Sequence, residues 1–415
     1  MRRIVWAVLV GGIMLAGAGV VLLGRHGGAA HVVAVARTRL AEWADPTTLT
    51  AWPRRQAPSL AADAVSRMAA ATWQRTIDRR GPALYPSPSY GGVYLRDTFW
   101  ATSALPDAGL ALALRDQFTR FQRPDGQMPT RFAAWQQGAA YDDDDSTSLY
   151  VLWTCRDHAR FGTPANAAAL GRALSYLRHR DVGGDYLSPP GDRRSWLDTL
   201  RLAHPDTLSY NQGLYAVALA CARGMGAPVS AAEADAAARA YRALYQPGLG
   251  YLPLGRHLLD HDVSSLTGDF VAYWLLGRPL LSDGIVRSTV AHFTVAATGY
   301  DVVTQPDGHY LPADRFSVPP DPGAYQNGGA WLLYDEMALA TAALHGWRPA
   351  RTLMRQRLAL DAATGRLFEE YTCTNPALPC FLFPVPAHRY YAWNTFVLVT
   401  ERVVAQGSWR PATPR

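Results

Sequence analysis

Apolar residues recur at helical spacing from about residue 59 to the end of this chain, with no convincing alternation of period two. The pattern predicts twelve helices, at 59–79, 94–104, 106–121, 144–161, 164–179, 207–225, 230–244, 264–276, 279–296, 324–345, 347–360 and 388–406. In the sixth, Leu208, Leu214, Tyr215, Ala218, Leu219 and Ala222 form one stripe, and Gly224 and Gly226 stop it. Short links (Pro106, 162–163, 226–229, 277–278, Gly346) alternate with long ones (80–93, 122–143, 180–206, 245–263, 297–323, 361–387). A short link makes an antiparallel helical hairpin. The fold class read from this is all-α, and six hairpins closed into a ring, an (α/α)6 toroid, would bring every long link to one end.

Those long links carry Tyr85, Tyr90, Trp135, Tyr141, Tyr186, Trp196, Asp198, Tyr251, Tyr310, Glu369, Glu370 and Tyr371. One face of such a ring is therefore a cup of aromatics and carboxylates, and loops this long in a compact domain are usually functional. Alternate helices also open on polar residues: Arg96 and Asp97, Asp144 and Asp145, Asn211 and Gln212, Asp269, Gln326 and Asn327, Trp393 and Asn394. Capping explains some of them, Asp144 especially, but not the recurring amides or the Arg-Asp pair.

Composition narrows the classes. The chain has 415 residues, 49% of them apolar, enough for a large core. All of its positive side-chain charge is arginine, which excludes Schiff-base chemistry and the lysine of a phosphate-binding loop. The net charge of +6 is scattered, with no basic stripe for a nucleic acid. Residues 1–24 join two arginines to an apolar run that begins at Ile4, an export signal that is either a signal peptide, with AxA-like sites at 34–36, or, as its length favours, an uncleaved membrane anchor, leaving the body secreted or anchored. Residues 25–57 read as a linker and 58–410 as the folded domain, outside the cytoplasm. In that setting Cys373 and Cys380, flanking TNPALP, are expected to pair as a disulfide, while Cys155 and Cys221 in helical segments are expected to be buried thiols. The run Asp142 to Asp145 lacks the spacing of a calcium loop, and His257 and His261 fall in a loop, so neither a metal nor a cofactor is expected.

Asp198 follows Trp196 on a loop feeding the sixth helix. An acid beside a large aromatic can be held partly out of water, which raises its pKa and fits it to donate a proton. An Asp ahead of a helix is most often a cap or a solvated loop residue, and spacing alone favours that reading.

Five segments in order carry a resemblance. SWLDTL (195–200) with YNQGLYAVALACARGMG (210–226) resembles the Trp-x-Asp and following helix of amylo-α-1,6-glucosidase and glucoamylase-like enzymes. LRDTFW (95–100) resembles their segment that holds the terminal sugar, DDSTSLYVLW (144–153) their acidic helix start, and YQNGGAWLL (325–333) their YxxGxxW element. FEEY (368–371) and YYAWNTFVLV (390–399) are similar to the closing pattern of processing α-glucosidases and trehalases. The resemblance implies an inverting six-hairpin (α/α)6 glycosidase, with Asp198 as general acid and Glu369 as general base, Glu370 being the rival base. It implies that Arg96, Asp97, Asp144, Asp145, Gln326 and Trp393 contact the innermost sugar. Trp100, Trp196, Asn211, Gln212, Tyr325, Asn327, Glu370 and Tyr371, on the same motifs, join the substrate-binding set.

Inverting hydrolysis needs a protonated carboxyl at the leaving oxygen and an ionised one across the ring, about 6.5 to 9.5 Å apart with a water between. Two acids on distant loops at one rim can meet that geometry, and aromatic rings can stack on the C–H faces of a sugar. The expected reaction is exo-cleavage of α-linked glucose or a related sugar, with a carbohydrate as partner, no nucleic acid, and the membrane as a further partner through residues 1–24. A polysaccharide lyase or a sugar epimerase on the same scaffold, or a non-catalytic carbohydrate-binding protein, stay open because one fold hosts several chemistries.

Overall fold

Helical periodicity carries over into the computed structural model, which describes residues 63–406 apart from 79–81, 134–137, 164, 296–298, 319, 321 and 372–385. The apolar N-terminal run, the linker and the Cys373 and Cys380 pair lie outside the described residues, among which no helix is long and apolar enough to cross a membrane. The described helices are α1 (Ala64–Thr76), α2 (Leu95–Ala104), α3 (Ala108–Arg120), α4 (Ser146–Phe161), α5 (Ala167–Arg178) and α6 (Ser209–Gly224). They continue with α7 (Ala231–Ala243), α8 (Thr267–Leu276), α9 (Asp283–His292), α10 (Leu332–Leu344), α11 (Pro349–Thr364) and α12 (Val397–Gln406).

Two helices start more than two turns later than periodicity predicts, the widest of several late starts. The tenth begins at Leu332, not 324, because Tyr325 (φ 48°) and Gly328 (φ 98°) turn the chain first. The last begins at Val397, not 388, after a strand and a 3-10 turn, Ala392–Phe396. The long links also hold short strands that no period-two pattern announces. One antiparallel sheet joins β1 (Val93–Tyr94), β2 (Arg131–Phe132) and β3 (Ala139–Ala140). Another joins β4 (Ala330–Trp331), β5 (Phe368–Tyr371) and β6 (Pro386–Arg389), with Glu370 opposite both Trp331 and Ala387.

Helices α2, α4, α6, α8, α10 and α12 form an inner layer in which each packs on the next, and α12 with its 3-10 turn returns to α2. Helices α3, α5, α7 and α11 fold back on α2, α4, α6 and α10, whereas α9 packs on α10 and α1 packs on the 3-10 turn, α11 and α12. At the crossing of α6 and α8, a Cβ on Gly268 would lie 2.3 Å from the Cα of Gly213, so only glycine permits that approach. The interior is filled by Phe99, Trp100, Trp274 and Phe396; Trp100 sits 4.6 Å from Phe99 and 4.8 Å from Phe396, ring centre to ring centre.

Capping divides the layers. Asp107, Asn166, Ser230 and Ser282 cap α3, α5, α7 and α9 through their side chains, each accepting a backbone N–H of the first turn. The inner helices α2, α4, α6, α8 and α10 have no side-chain cap. Asp145 occupies the capping position of α4, yet its carboxylate is turned elsewhere.

Candidate active site

Where the carboxylate of Asp145 goes defines the floor of the site. Arg96, in the first turn of α2, donates Nε to Asp145 Oδ2 at 2.7 Å and Nη2 to Asp143 Oδ2 at 2.7 Å. It also reaches Ser195 O at 3.3 Å, on the loop that leads to Asp198. Tyr210, at the start of α6, donates to the same Asp145 oxygen at 3.1 Å. One guanidinium thus gathers three segments and sets two carboxylates against one positive charge. Burial pushes the Asp143 carboxyl up from its ordinary value; Arg96 opposes this, while Asp145 and Asp198 add to it.

An aromatic wall rises from that floor. The Tyr210 ring stands edge-on to Tyr334, and Trp196 lies on Tyr334 at 3.9 Å. Trp331 meets Trp196 at 5.1 Å, Trp393 meets Trp331 at 5.5 Å, and Tyr391 meets Trp393 at 5.1 Å. Beside Tyr391 sits Asp97, whose carboxyl burial raises to about 7 against the pull of Arg96 and a hydrogen bond with Tyr391. Its Oδ1 is buried without a hydrogen-bond partner among the described residues, as is the indole N–H of Trp393. Such groups are what the hydroxyls of a bound ligand satisfy.

Two loops far apart in sequence then present acids to the same space. Asp198 is half-buried and accepts Gln326 Nε2 at 2.8 Å; the Gln326 amide also holds Trp196 O and the N–H and hydroxyl of Thr199. Glu369, on β5, is buried and accepts the Tyr90 hydroxyl at 3.0 Å. Burial and the neighbouring Glu370 hold its carboxyl well above the ordinary range, against hydrogen bonds from Tyr391 and Tyr90. Tyr325 stands among all three acids: burial raises its hydroxyl most, and the charges of Asp198, Glu369 and Glu370 raise it further.

Successive residues of a strand face opposite ways, so the Glu369 and Glu370 doublet is split. Glu370 is turned to the Tyr325–Gly329 turn, where a Cβ on Gly329 would lie 2.0 Å from its Oε2. Burial raises it to about 8, and a hydrogen bond from the Tyr325 backbone opposes this.

Several residues implied by the resemblance spend their polar groups on the chain itself. Trp100 belongs to the aromatic interior, because its ring is enclosed by Phe99, Trp274 and Phe396. Gln212 accepts Tyr186 N and donates to Gly184 O and Ala237 O, while Asn327 pairs with both backbone groups of Leu311. Asn211 donates to Ser188 Oγ and Arg194 O, and the Tyr371 hydroxyl donates to Asp361 at 2.9 Å. Asp144 lies beside Arg180 at 3.8 Å, apart from the Arg96 group. Asp269 accepts the N–H groups of Leu280 and Leu281. The expectation that Cys155 and Cys221 are thiols is corrected: they are joined to each other in a disulfide between α4 and α6.

The site also contains residues that periodicity could not single out. Asp143 is part of the acidic run and Tyr90 of a long link, but nothing in the sequence says which of several tyrosines and acids turn inward. Tyr334 and Trp331 look like ordinary core positions, and His388 carries no spacing signal at all.

No protein-family model matches the chain, and no curated protein matches its sequence. Solved structures do. A wild-type glycosidase superposes with a TM-score of 0.56 at 18% identity, over 84% of this chain and 98% of that one. A GH63 mannosylglycerate hydrolase from Thermus thermophilus in complex with glucose gives 0.56 at 15% identity, over 80% of this chain and 98% of that one. An uncharacterized conserved protein from the same organism gives 0.56 at 14% identity, over 81% and 100%. At these identities the likeness is one of fold.

Proposed function

We propose that this chain, which has the fold of those glycosidases, is a glycoside hydrolase that inverts configuration and removes α-linked glucose or a related sugar from a chain end. The inner layer of helices, each packed on the next, supports a closed toroid of six hairpins with one cup-shaped mouth. The observation that carries the functional reading is that Asp198 and Glu369, far apart in sequence, both lie near enough to Tyr325 for their charges to act on it.

In this reading Asp198 gives its proton to the leaving oxygen, and Gln326 keeps the carboxyl pointed at it. Glu369 takes a proton from the attacking water, whose oxygen bonds to the anomeric carbon as the glycosidic bond breaks. Asp97, with an oxygen free of protein partners among the described residues, and Arg96, Asp145 and Trp393 form the innermost subsite. The carboxylate-rich floor favours the positive charge that builds on the sugar in an oxocarbenium-like transition state. Trp196 and Tyr325 shape the wall, and Glu370 serves the Tyr325 turn. The glucose and mannosylglycerate in the names of the structural neighbours support a carbohydrate as the ligand class. We also infer export from the cytoplasm, supported by the Cys155 and Cys221 disulfide, since such bonds persist where the surroundings are oxidising.

Proton NMR of sugar release from α-glucosides, α-mannosides and trehalose-like disaccharides tests this. The first-formed product is expected to be the β-anomer. Asp198→Asn and Glu369→Gln should each lower the rate about 10³-fold, whereas Glu370→Gln, on the face of β5 turned to the Tyr325–Gly329 turn, should retain most of it. Binding of glucose that survives both substitutions, with no hydrolysis by wild type, would instead make the chain a binding protein.

A further inference from the structure

Glu369 faces a difficulty as a base. It is buried, and the neighbouring carboxylates Glu370 and Asp97 favour its neutral form. Its Oε1 is held by Tyr90, and Tyr391 also hydrogen-bonds the carboxylate. On the Oε2 side, an oxygen with no hydrogen-bond partner among the described residues, stands His388 of β6, with Nε2 at 3.5 Å. Tyr325 contributes a hydroxyl from the turn before β4; Arg389 follows His388 in its strand, and Arg75 and Arg366 lie over the neighbouring Tyr390 ring.

His388 is held by a short chain of hydroxyls. Ser87 Oγ and Ser89 Oγ are 2.7 Å apart and both buried, and Ser89 Oγ is 3.2 Å from His388 Nδ1. When Ser89 Oγ donates to Nδ1, the ring proton stands on Nε2, the atom that faces Glu369. The imidazole also stands edge-on to Tyr90 at 5.2 Å, so the ring packs on the very residue that holds the other carboxylate oxygen. Its backbone is left-handed, with φ of 39°, which costs a non-glycine residue energy and persists only where the surroundings impose it. The other non-glycine residues with positive φ among those described are Arg193, Tyr325 and Tyr390.

We infer that His388, fixed by Ser89, is a positioning residue that turns Nε2–H toward Glu369 Oε2 and aims that carboxylate for water activation. This rests on the reading of Glu369 as the general base. A donor to the charged form lowers the carboxylate pKa, so its removal should raise that pKa and move the acidic limb of the rate profile to higher pH.

The test compares kcat, KM and the pH dependence of kcat/KM for wild type, His388→Ala, His388→Gln and Ser89→Ala, with circular dichroism as a check on folding. His388→Ala should lower kcat about 10- to 100-fold, leave KM nearly unchanged and shift the acidic limb upward. His388→Gln keeps an N–H donor without the ring and should recover part of kcat and of the limb. Ser89→Ala should move both in the same direction by less. A wild-type profile in His388→Ala overturns the inference, as does an equal loss in the Ala and Gln variants with no shift of the limb. If wild type hydrolyses nothing, the hydrolase reading fails by itself. The Glu369 carboxylate, titrated by infrared difference against Glu369→Gln, still decides the role of His388: a midpoint raised in His388→Ala supports it, and an unmoved one overturns it.

Discussion

Not every buried acid in this chain belongs to the mouth. Glu336, on α10, is fully buried, and neither carboxylate oxygen has a hydrogen-bond partner among the described residues. Burial, then Glu401, hold it well above the ordinary range, with Arg357 opposing. A carboxyl that binds its proton more tightly when folded is least costly below its unfolded pKa of about 4.5, and costs stability as pH rises from there. Glu336→Leu should therefore stabilise the fold by about 1 to 3 kcal/mol, with the gain larger at pH 8 than at pH 5 in urea unfolding curves. A gain independent of pH would place the charge elsewhere. Sequence could flag Glu369 and Asp198 because each stands in a motif on a long link. It could not separate Glu336, which occupies a helix like any surface glutamate, nor assign Glu369 and Glu370, whose difference arises only when strand pairing turns them to opposite faces.

Between elements, His345 makes the corresponding contact from the basic side. It follows α10 and donates Nε2 to Asp269 of α8 at 2.7 Å and Nδ1 to Asp283 at the start of α9 at 2.7 Å. Both nitrogens can donate only in the imidazolium. Burial works against that charge, but the hydrogen bonds and charges of Asp269 and Asp283 outweigh it and raise the pKa of His345. The clamp is thus complete below the unfolded histidine value of about 6.5 and is lost as pH rises through the higher folded one. His345→Asn should cost about 3 kcal/mol at pH 6, and the deficit should narrow toward pH 9; a deficit constant with pH would mean that the ring acts by packing alone. The helices themselves were legible because one face of each is apolar at regular spacing. Their starts were not, where Tyr325 and Gly328 turn the chain ahead of α10 or a 3-10 turn precedes α12, since these depend on backbone torsions that spacing does not encode. Caps were not legible: Asp107, Asn166, Ser230 and Ser282 cap outer helices, whereas Asp144, the cap expected from sequence, is not one, since Asp145 holds that position of α4 without a capping bond.

For the whole molecule, alternating link lengths announce hairpins, but which inner helices are tied together is invisible in a linear pattern. Cys155 and Cys221 each sit in an apolar helical stretch that a buried thiol would suit equally well. The fold lays α4 against α6, bringing their Cα atoms to 6.1 Å, within the usual reach of a disulfide. The bond spans 66 residues of sequence, a loop whose closure in the unfolded chain would stabilise the native state by about 4 kcal/mol on entropic grounds. Because α4 carries Asp145 and α6 carries Tyr210, the same staple holds the two helices whose first turns meet at Arg96. Cys155→Ala with Cys221→Ala should accordingly lose about 2 to 4 kcal/mol in guanidinium unfolding, and peptide mapping of protein exported to an oxidising compartment should recover the two cysteines cross-linked. Protein made in a reducing cytoplasm should match the double variant in stability until it is oxidised. If the exported protein yields both cysteines as free thiols and the double variant is as stable as wild type, α4 and α6 are held by packing alone, and the support this bond gives to export disappears with it.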